Sequence, residues 1–142
     1  MKKSLFFKLC MLVLTCCSLN AVFNNVSAGN VTDTEFYYST TAANAGMYVT
    51  DCREKQDDTS AYVLLSASAN TTITKIIVQG APRSSGLYTD RTAGNYKSIS
   101  PGESKYLPNY VYENDEYYCR LWFEWPAKER VSIFGVWSPD SV

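Results

Sequence analysis

The sequence predicts an all-β protein, a two-sheet antiparallel β-sandwich preceded by a signal peptide. The first observation is composition: Tyr, Thr, Val and Ile are abundant, and Gly, Pro, Asn and Asp recur at short intervals between them. The second is that apolar and polar side chains alternate along several short segments, which is typical of strands with one buried face. The third is that no segment has a long helical period with capping residues.

Seven segments are predicted as strands: Glu35–Ser39, Met47–Cys52, Ser60–Ser68, Thr72–Gln79, Asn95–Ser100, Tyr117–Trp125 and Arg130–Trp137. The short polar connection Ala69-Asn70-Thr71 predicts a hairpin between the third and fourth strands. The connection Pro126-Ala127-Lys128-Glu129 predicts a second hairpin between the last two. Pro108 interrupts the stretch from Glu103 to Asn114, which we therefore expect to be an edge strand or a single irregular turn.

The strand Tyr117–Trp125 shows the clearest alternation. Its apolar side, expected to face the core, consists of Tyr117, Cys119, Leu121, Phe123 and Trp125. Its other side, expected to be solvated apart from the indole of Trp122, consists of Tyr118, Arg120, Trp122 and Glu124.

The first 28 residues have the three-part layout of a secretory signal peptide. Lys2 and Lys3 form a charged start, Leu9 to Leu19 is apolar, and Val26-Ser27-Ala28 places small residues where a signal peptidase cleaves. The apolar stretch is about half the ~20 residues that span a bilayer, so we expect no stable membrane insertion. The predicted organisation is a signal peptide at residues 1–28 and one secreted β-sandwich domain at residues 29–142.

Cleavage of the leader changes the net charge and the number of cysteines of the chain that remains. Three of the 13 bases lie in it and all 14 acids follow it, so the remaining chain carries 10 minus 14, or −4. A mildly acidic chain without a basic cluster is a poor partner for nucleic acid. Only Cys52 and Cys119 remain after cleavage. An even pair in an oxidising compartment favours a Cys52–Cys119 disulfide, with two free buried thiols as the alternative.

The residues that usually carry catalysis are scarce. The chain has no histidine, which excludes Ser-His-Asp and Cys-His arrangements, and it has neither a zinc signature nor a phosphate-binding loop. We therefore expect a non-enzymatic protein without cofactor or metal. The charged loop around Asp51 to Asp58 is interpreted as solvated. Calcium binding is the alternative, but the spacing lacks the glycine and the terminal Glu of a helix-loop-helix calcium site. A carboxylate pair acting on a glycoside is the remaining catalytic alternative. Its candidate residues are Asp51, Glu54, Asp57, Asp58, Glu113, Asp115 and Glu116.

Eleven tyrosines and three tryptophans are the unusual feature of the composition. They either fill sheet faces or form an aromatic surface for a glycan, a lipid headgroup or a protein. Trp122 lies between Arg120 and Glu124 on the polar side of its strand, where a large apolar ring is unexpected. The candidate binding residues are therefore Trp122, Tyr118 and Trp137, with coverage of Trp122 by a second layer as the alternative.

The C-terminal half also resembles a known family. Ser98-Ile-Ser, Tyr110-Val-Tyr-Glu-Asn114, the strand Tyr117–Trp125 and the closing Gly135-Val-Trp-Ser-Pro-Asp-Ser141 resemble small exported Gram-positive proteins of domain of unknown function 2712. In size, export and composition the chain is loosely similar to the lactococcin-972-type bacteriocins, which act on cell-wall precursor.

The family has no assigned activity, so no functional residue is transferred. The expected function is a secreted, non-enzymatic binding or interaction protein of the bacterial envelope, in its sharpest form bacteriocin-like. Its partner would be a glycan, a wall precursor or a protein. A carboxylate-dependent wall-glycan hydrolase and a purely structural envelope protein are the alternatives.

The leader makes a direct prediction about the exported product. Because the small residues of Val26-Ser27-Ala28 end the leader, the protein recovered from culture supernatant should begin at Gly29. N-terminal sequencing measures this. Cys16 and Cys17 lie at the end of the apolar stretch, where a lipoprotein carries its lipidated cysteine. A product that begins at Met1, or at a lipidated Cys17, would contradict the prediction.

Overall fold

The computed structural model describes residues 29–41, 46–127 and 130–142. The predicted signal peptide and two residues of the second predicted hairpin turn, Lys128 and Glu129, lie outside this part of the chain. The described residues form ten strands and one 3-10 turn at Tyr112–Asn114. The strands are β1 (Thr34–Thr40), β2 (Gly46–Val49), β3 (Arg53–Glu54), β4 (Ala61–Leu65), β5 (Ile73–Ala81), β6 (Thr89–Asp90), β7 (Lys97–Ile99), β8 (Ser104–Leu107), β9 (Tyr118–Trp125) and β10 (Val131–Ser138).

The strands form two antiparallel sheets, as the sequence predicts. One sheet has four strands in the order β1-β10-β4-β8. The other has six: β2, β9, β5 and β6 in that order, with β3 also paired to β9 and β7 to β5. The stretch that Pro108 interrupts supplies the edge strand β8 and, after it, the 3-10 turn, so both predicted forms occur.

The core lies between the sheets, and the alternation along β9 is confirmed. Cys119, Leu121 and Phe123 are fully buried, while the intervening residues are half-exposed. Tyr117 departs from the prediction, since it precedes the strand and is 49% exposed. The rings of Phe36 and Phe123 lie 5.1 Å apart across the two sheets, so aromatic contacts fill much of the core.

Both predicted hairpins are wrong. Strand β4 belongs to the four-stranded sheet and β5 to the six-stranded sheet, and β9 and β10 are separated in the same way. The short connections therefore cross from one sheet to the other. The buried methyl group of Ala69 belongs to the core, and Asn70 exchanges hydrogen bonds with Ser132 on β10, the strand next to β4. A short polar connection predicts a turn, but only the tertiary packing decides which sheet the next strand joins.

A glycine allows the centre of the four-stranded sheet to pack closely. Gly135 stands opposite Phe36 on β1 and Leu65 on β4. A Cβ atom at this position would lie 2.0 Å from the carbonyl oxygen of Leu64 and 3.0 Å from Cζ of Phe36. Only glycine lets the Phe36 ring pack over this point of β10.

A fully buried ion pair joins the loop after β3 to the C-terminus. The Nζ of Lys55 lies 2.8 Å from Oδ1 of Asp140, and neither side chain is exposed. This ammonium also donates to the carbonyl oxygens of Thr59, at 2.6 Å, and Pro139, at 2.9 Å. All three protons therefore have acceptors, the condition under which a buried charge is tolerated.

The second oxygen of Asp140 holds backbone amides from two other segments. It accepts hydrogen bonds from the amides of Asn30, at 2.6 Å, and Gln56, at 3.0 Å. The charged loop expected to be solvated thus contains one of the most deeply buried side chains of the protein. The interpretation of that loop is corrected accordingly.

No helix among the described residues is long and apolar enough to cross a membrane.

Candidate functional site

Trp137, one of the three candidate binding residues, is not on the surface. It is 1% exposed and belongs to the core. The guanidinium of Arg53 lies 5.7 Å from its ring centroid and donates to its carbonyl oxygen at 3.1 Å. The assignment of Trp137 as a binding residue is therefore corrected: it fills the inner face of β10, where a partner cannot reach it.

Trp122 and Tyr118 both lie on the outer face of β9, but they do not form one site. Trp122 stands between Val49 on β2 and Ile77 on β5, and the residue is partly buried. Its indole Nε1 is buried and has no hydrogen-bond partner among the described residues. Tyr118 lies four residues away, opposite Glu54, whose Oε1 accepts a hydrogen bond from the Tyr118 hydroxyl at 3.3 Å. A role for Trp122 in binding stays a prediction.

The two cysteines are free thiols in this structure, so the predicted Cys52–Cys119 disulfide is not formed. Between Thr50 and Arg53 the chain has one residue more than β9 has between Leu121 and Cys119. This is the pattern of a β-bulge.

The bulge separates the two sulfur atoms onto different faces of the sheet. Cys119 points into the core, where burial raises the pKa of its thiol to about 12. Cys52 is partly exposed, and its Sγ lies 3.7 Å from the carbonyl oxygen of Ser84 on the other side. The spacing of the two cysteines in the sequence could not reveal the bulge, and therefore could not show on which face of the sheet the side chain of Cys52 lies.

An aromatic surface lies instead on the outer face of the four-stranded sheet. Tyr37 pairs with Phe134, and their ring centroids are 6.4 Å apart. Tyr62 pairs with Tyr106 at 5.5 Å. Between these two ring pairs stands an aliphatic pair from β10 and β4. We call the six residues the aromatic stripe: Tyr37, Phe134, Val136, Leu64, Tyr62 and Tyr106.

The stripe runs diagonally across all four strands. Strand spacing and rise per residue place its two ends roughly 20 Å apart. Tyr37 is 66% exposed and Tyr106 58%, so both ends are open to solvent. A sheet that packs on one side only normally has a polar outer face, and an uncovered row of rings is a common form of binding surface.

Two grooves lie along the stripe, and none of the described residues that line them is basic. The larger, about 790 Å³, lies over Tyr37, Phe134 and Leu64, with Glu35 at its edge. The smaller, about 260 Å³, lies over Tyr62 and Tyr106 and includes Asp33 and the C-terminal residues. Aromatic rings beside carboxylates and hydroxyls suit a partner with apolar faces and many hydrogen-bond donors.

The stripe was not among the residues chosen from the sequence. A signal was present, because Tyr62 and Leu64 alternate with the buried residues of β4, and Phe134 and Val136 alternate with those of β10. The sequence could not show that these outer residues come from adjacent strands, because the pairing of β1, β10 and β4 links distant segments.

Three of the carboxylates are held by contacts within the protein. Among the described residues, no group of three or more acidic or cysteine side chains could hold a metal ion. Asp140 is paired with Lys55, and Glu116 accepts two hydrogen bonds from the guanidinium of Arg91, at 2.8 and 3.0 Å. Asp57 accepts hydrogen bonds from the amide and hydroxyl of Thr59.

The pKa of Asp57 reflects these contacts. Partial burial alone would raise the pKa of this carboxyl, but the Thr59 hydrogen bonds and the nearby Lys55 charge outweigh that effect and lower it. Asp57 therefore stays ionised and orders its own loop.

One comparison with known proteins identifies the family. The model of a protein family of unknown function, DUF2712, matches residues 24–141. The chain belongs to this family. No curated protein and no solved structure matches it. In this DUF2712 protein the closing segment Gly135–Ser141, which carries the sequence resemblance, is structural: it supplies the close packing at Gly135, the core ring of Trp137 and the buried carboxylate of Asp140.

The positions of the two thiols predict different reactivity. In the folded DUF2712 protein, iodoacetamide at pH 8 should modify Cys52, which is partly exposed, and spare Cys119, which is buried with a raised pKa. Peptide mass spectrometry measures both sites, and unfolding in urea before alkylation should make them react equally.

The variant Cys52→Ser is the control and should take up no label while folded. A Cys52–Cys119 disulfide in the purified protein, or equal labelling of the two cysteines in the folded state, would contradict this account.

Proposed function

We propose that this protein is an exported, non-enzymatic binding protein of the bacterial envelope that recognises a glycan of the cell wall. The observation that carries the proposal is the aromatic stripe. Rings on a flat sheet face can stack against the C–H faces of sugar rings, and hydroxyl groups and carboxylates beside them can accept hydrogen bonds from sugar hydroxyls.

Charge favours a neutral glycan over other envelope components. The net charge after the leader is −4, and the described residues that line the two grooves contribute the carboxylates of Asp33, Glu35 and Asp140 but no lysine or arginine. Phosphate-rich polymers and anionic lipid headgroups require basic partners. A sugar chain without phosphate is therefore the envelope component that best fits the stripe.

Bacteriocin-like activity is the narrower form of the proposal. A protein that binds wall glycan or wall precursor from outside could block wall synthesis in competing bacteria of the Gram-positive type. Adding the purified protein to growing cells and following growth and septation separates this form from simple binding. The stripe supports binding in either case.

A wall-glycan hydrolase is the rival function, because two carboxylates other than that of Asp140, which is paired with Lys55, line the grooves. Asp33 and Glu35 lie on the same side of the chain at the start of β1, and neither was among the carboxylates considered from the sequence. If they were catalytic, incubation with purified wall would release reducing ends, and Glu35→Gln would abolish the release. The proposed binding protein releases none.

The stripe predicts the effect of removing its two exposed ends. The double variant Tyr37→Ala and Tyr106→Ala should bind purified cell wall roughly tenfold more weakly, because it loses two stacking rings. Co-sedimentation with insoluble wall measures the affinity. Both side chains are largely exposed, so the melting temperature should change little.

Tyr110→Ala is the matched control, because Tyr110 is 54% exposed but lies outside the stripe and its grooves. This variant should bind wall like the natural protein. Equal binding by the natural protein and the double variant would refute the stripe as the binding surface.

A further inference from the structure

A second aromatic site, separate from the stripe, lies at the end of the six-stranded sheet. A cavity of about 450 Å³ is lined by Tyr112, Tyr117 and Tyr118 together with Glu54, Gln56 and the backbone region of Lys55. We call it the tyrosine pocket. It shares no lining residue with the two grooves over the stripe.

Three different parts of the chain hold the rings in place. Tyr112 begins the 3-10 turn, and Tyr117 follows that turn, so the two rings meet edge to face with centroids 6.2 Å apart and planes at 81°. Tyr118 begins β9, and the carbonyl oxygen of Tyr117 accepts a hydrogen bond from the amide of Lys55 at 2.9 Å. Ladder pairing with β3 places Glu54 opposite Tyr118.

The pocket carries negative charge that no basic side chain of the described chain neutralises. Glu54 is exposed and forms no ion pair with any lysine or arginine of residues 29–41, 46–127 and 130–142. Its carboxylate accepts a hydrogen bond from the Tyr118 hydroxyl, and its charge is the main reason that the pKa of Tyr118 is raised. Tyr118 therefore stays neutral, and its hydroxyl orients the carboxylate.

The neighbouring bases all point to other partners. The ammonium of Lys55 is turned into the core toward Asp140. The guanidinium of Arg53 donates to the carbonyl oxygens of Thr32 and Trp137. Arg120, next on the outer face of β9, stacks over the ring of Tyr88 at 4.0 Å. A cation from another molecule would therefore meet no competing basic group of these residues in the pocket.

We propose that the tyrosine pocket binds an organic ammonium group, which packs against the rings of Tyr112 and Tyr117 and pairs with the carboxylate of Glu54. Aromatic rings attract cations through their negative faces, and clusters of rings beside a carboxylate are the usual way that proteins recognise alkylated ammonium groups. This site is independent of the proposed glycan binding and does not require it.

The test compares a cation with a neutral molecule of the same shape. Tetramethylammonium chloride and tert-butanol are titrated separately into the purified protein, and the tyrosine resonances are followed by NMR at constant ionic strength. Tetramethylammonium should shift the resonances of Tyr112, Tyr117 and Tyr118 saturably, and tert-butanol should not. Equal shifts with both probes, or shifts reproduced by sodium chloride, would overturn the proposal.

Variants locate the site. Glu54→Gln keeps the shape of the side chain and removes its charge, and Tyr117→Leu removes one ring; each should weaken tetramethylammonium binding roughly two- to fivefold. Tyr110→Leu, outside the pocket, is the control and should bind normally. Thermal melting checks that each variant is folded. An unchanged affinity in folded Glu54→Gln would overturn the proposal even if the tyrosine variant were unstable.

A third probe distinguishes the possible sources of the ammonium group. Butylammonium chloride represents a primary amine, such as a lysine side chain, and tetramethylammonium represents a quaternary headgroup. Tighter binding of either probe supports the ammonium site and shows whether the site prefers a primary amine or a quaternary headgroup. Failure of both to bind would overturn the proposal without affecting the stripe, because the Tyr37 and Tyr106 variants test that surface separately.

Discussion

The buried ion pair between Lys55 and Asp140 is the interaction on which the rest of the structure depends. It joins three segments distant in sequence: the start of the described chain at Asn30, the loop around Lys55, and the last residues after β10. Burying two charges costs several kcal/mol each, and the cost is offset only when every donor and acceptor finds a partner. Here the ammonium has three acceptors, and the second carboxylate oxygen accepts two backbone amides.

Both proposed binding sites border this pair. Asp140 and the C-terminal residues that follow it line the smaller groove over the stripe. The residues on either side of Lys55, Glu54 and Gln56, line the tyrosine pocket. The side chain of Lys55 points inward, which leaves Glu54 unpaired on the outside. The same buried contact therefore fixes the position of two surfaces that lie on different sheets.

Much of the fold could be predicted from the sequence, because strand alternation reports directly on burial. The apolar side of β9 and the two-sheet architecture are confirmed for this reason. The errors arise where a local pattern has more than one tertiary solution. After a short turn the chain can pair within the same sheet or cross to the other sheet. One added residue between Thr50 and Arg53 places Cys52 on the opposite face of the sheet from Cys119.

The candidate site was harder to predict than the fold. Among the three aromatic residues predicted to bind a partner, Tyr118 lines the tyrosine pocket, whereas Trp137 is core. The stripe depends on the pairing of β1 with β10 and of β10 with β4, which no local pattern shows. Likewise, a lysine in a charged loop has no sequence signal that it will be buried, because its partner Asp140 lies 85 positions away.

A double-mutant cycle on the ion pair tests the central claim most directly. Urea unfolding should show that Lys55→Met and Asp140→Asn each lower the free energy of unfolding by about 3–5 kcal/mol. The first variant leaves the buried carboxylate of Asp140 without its ammonium, and the second leaves the buried ammonium of Lys55 without its carboxylate. The double variant should cost at least ~2 kcal/mol less than the sum of the single variants, since it leaves no charge behind. Costs that simply add, to within ~0.5 kcal/mol, would contradict the account.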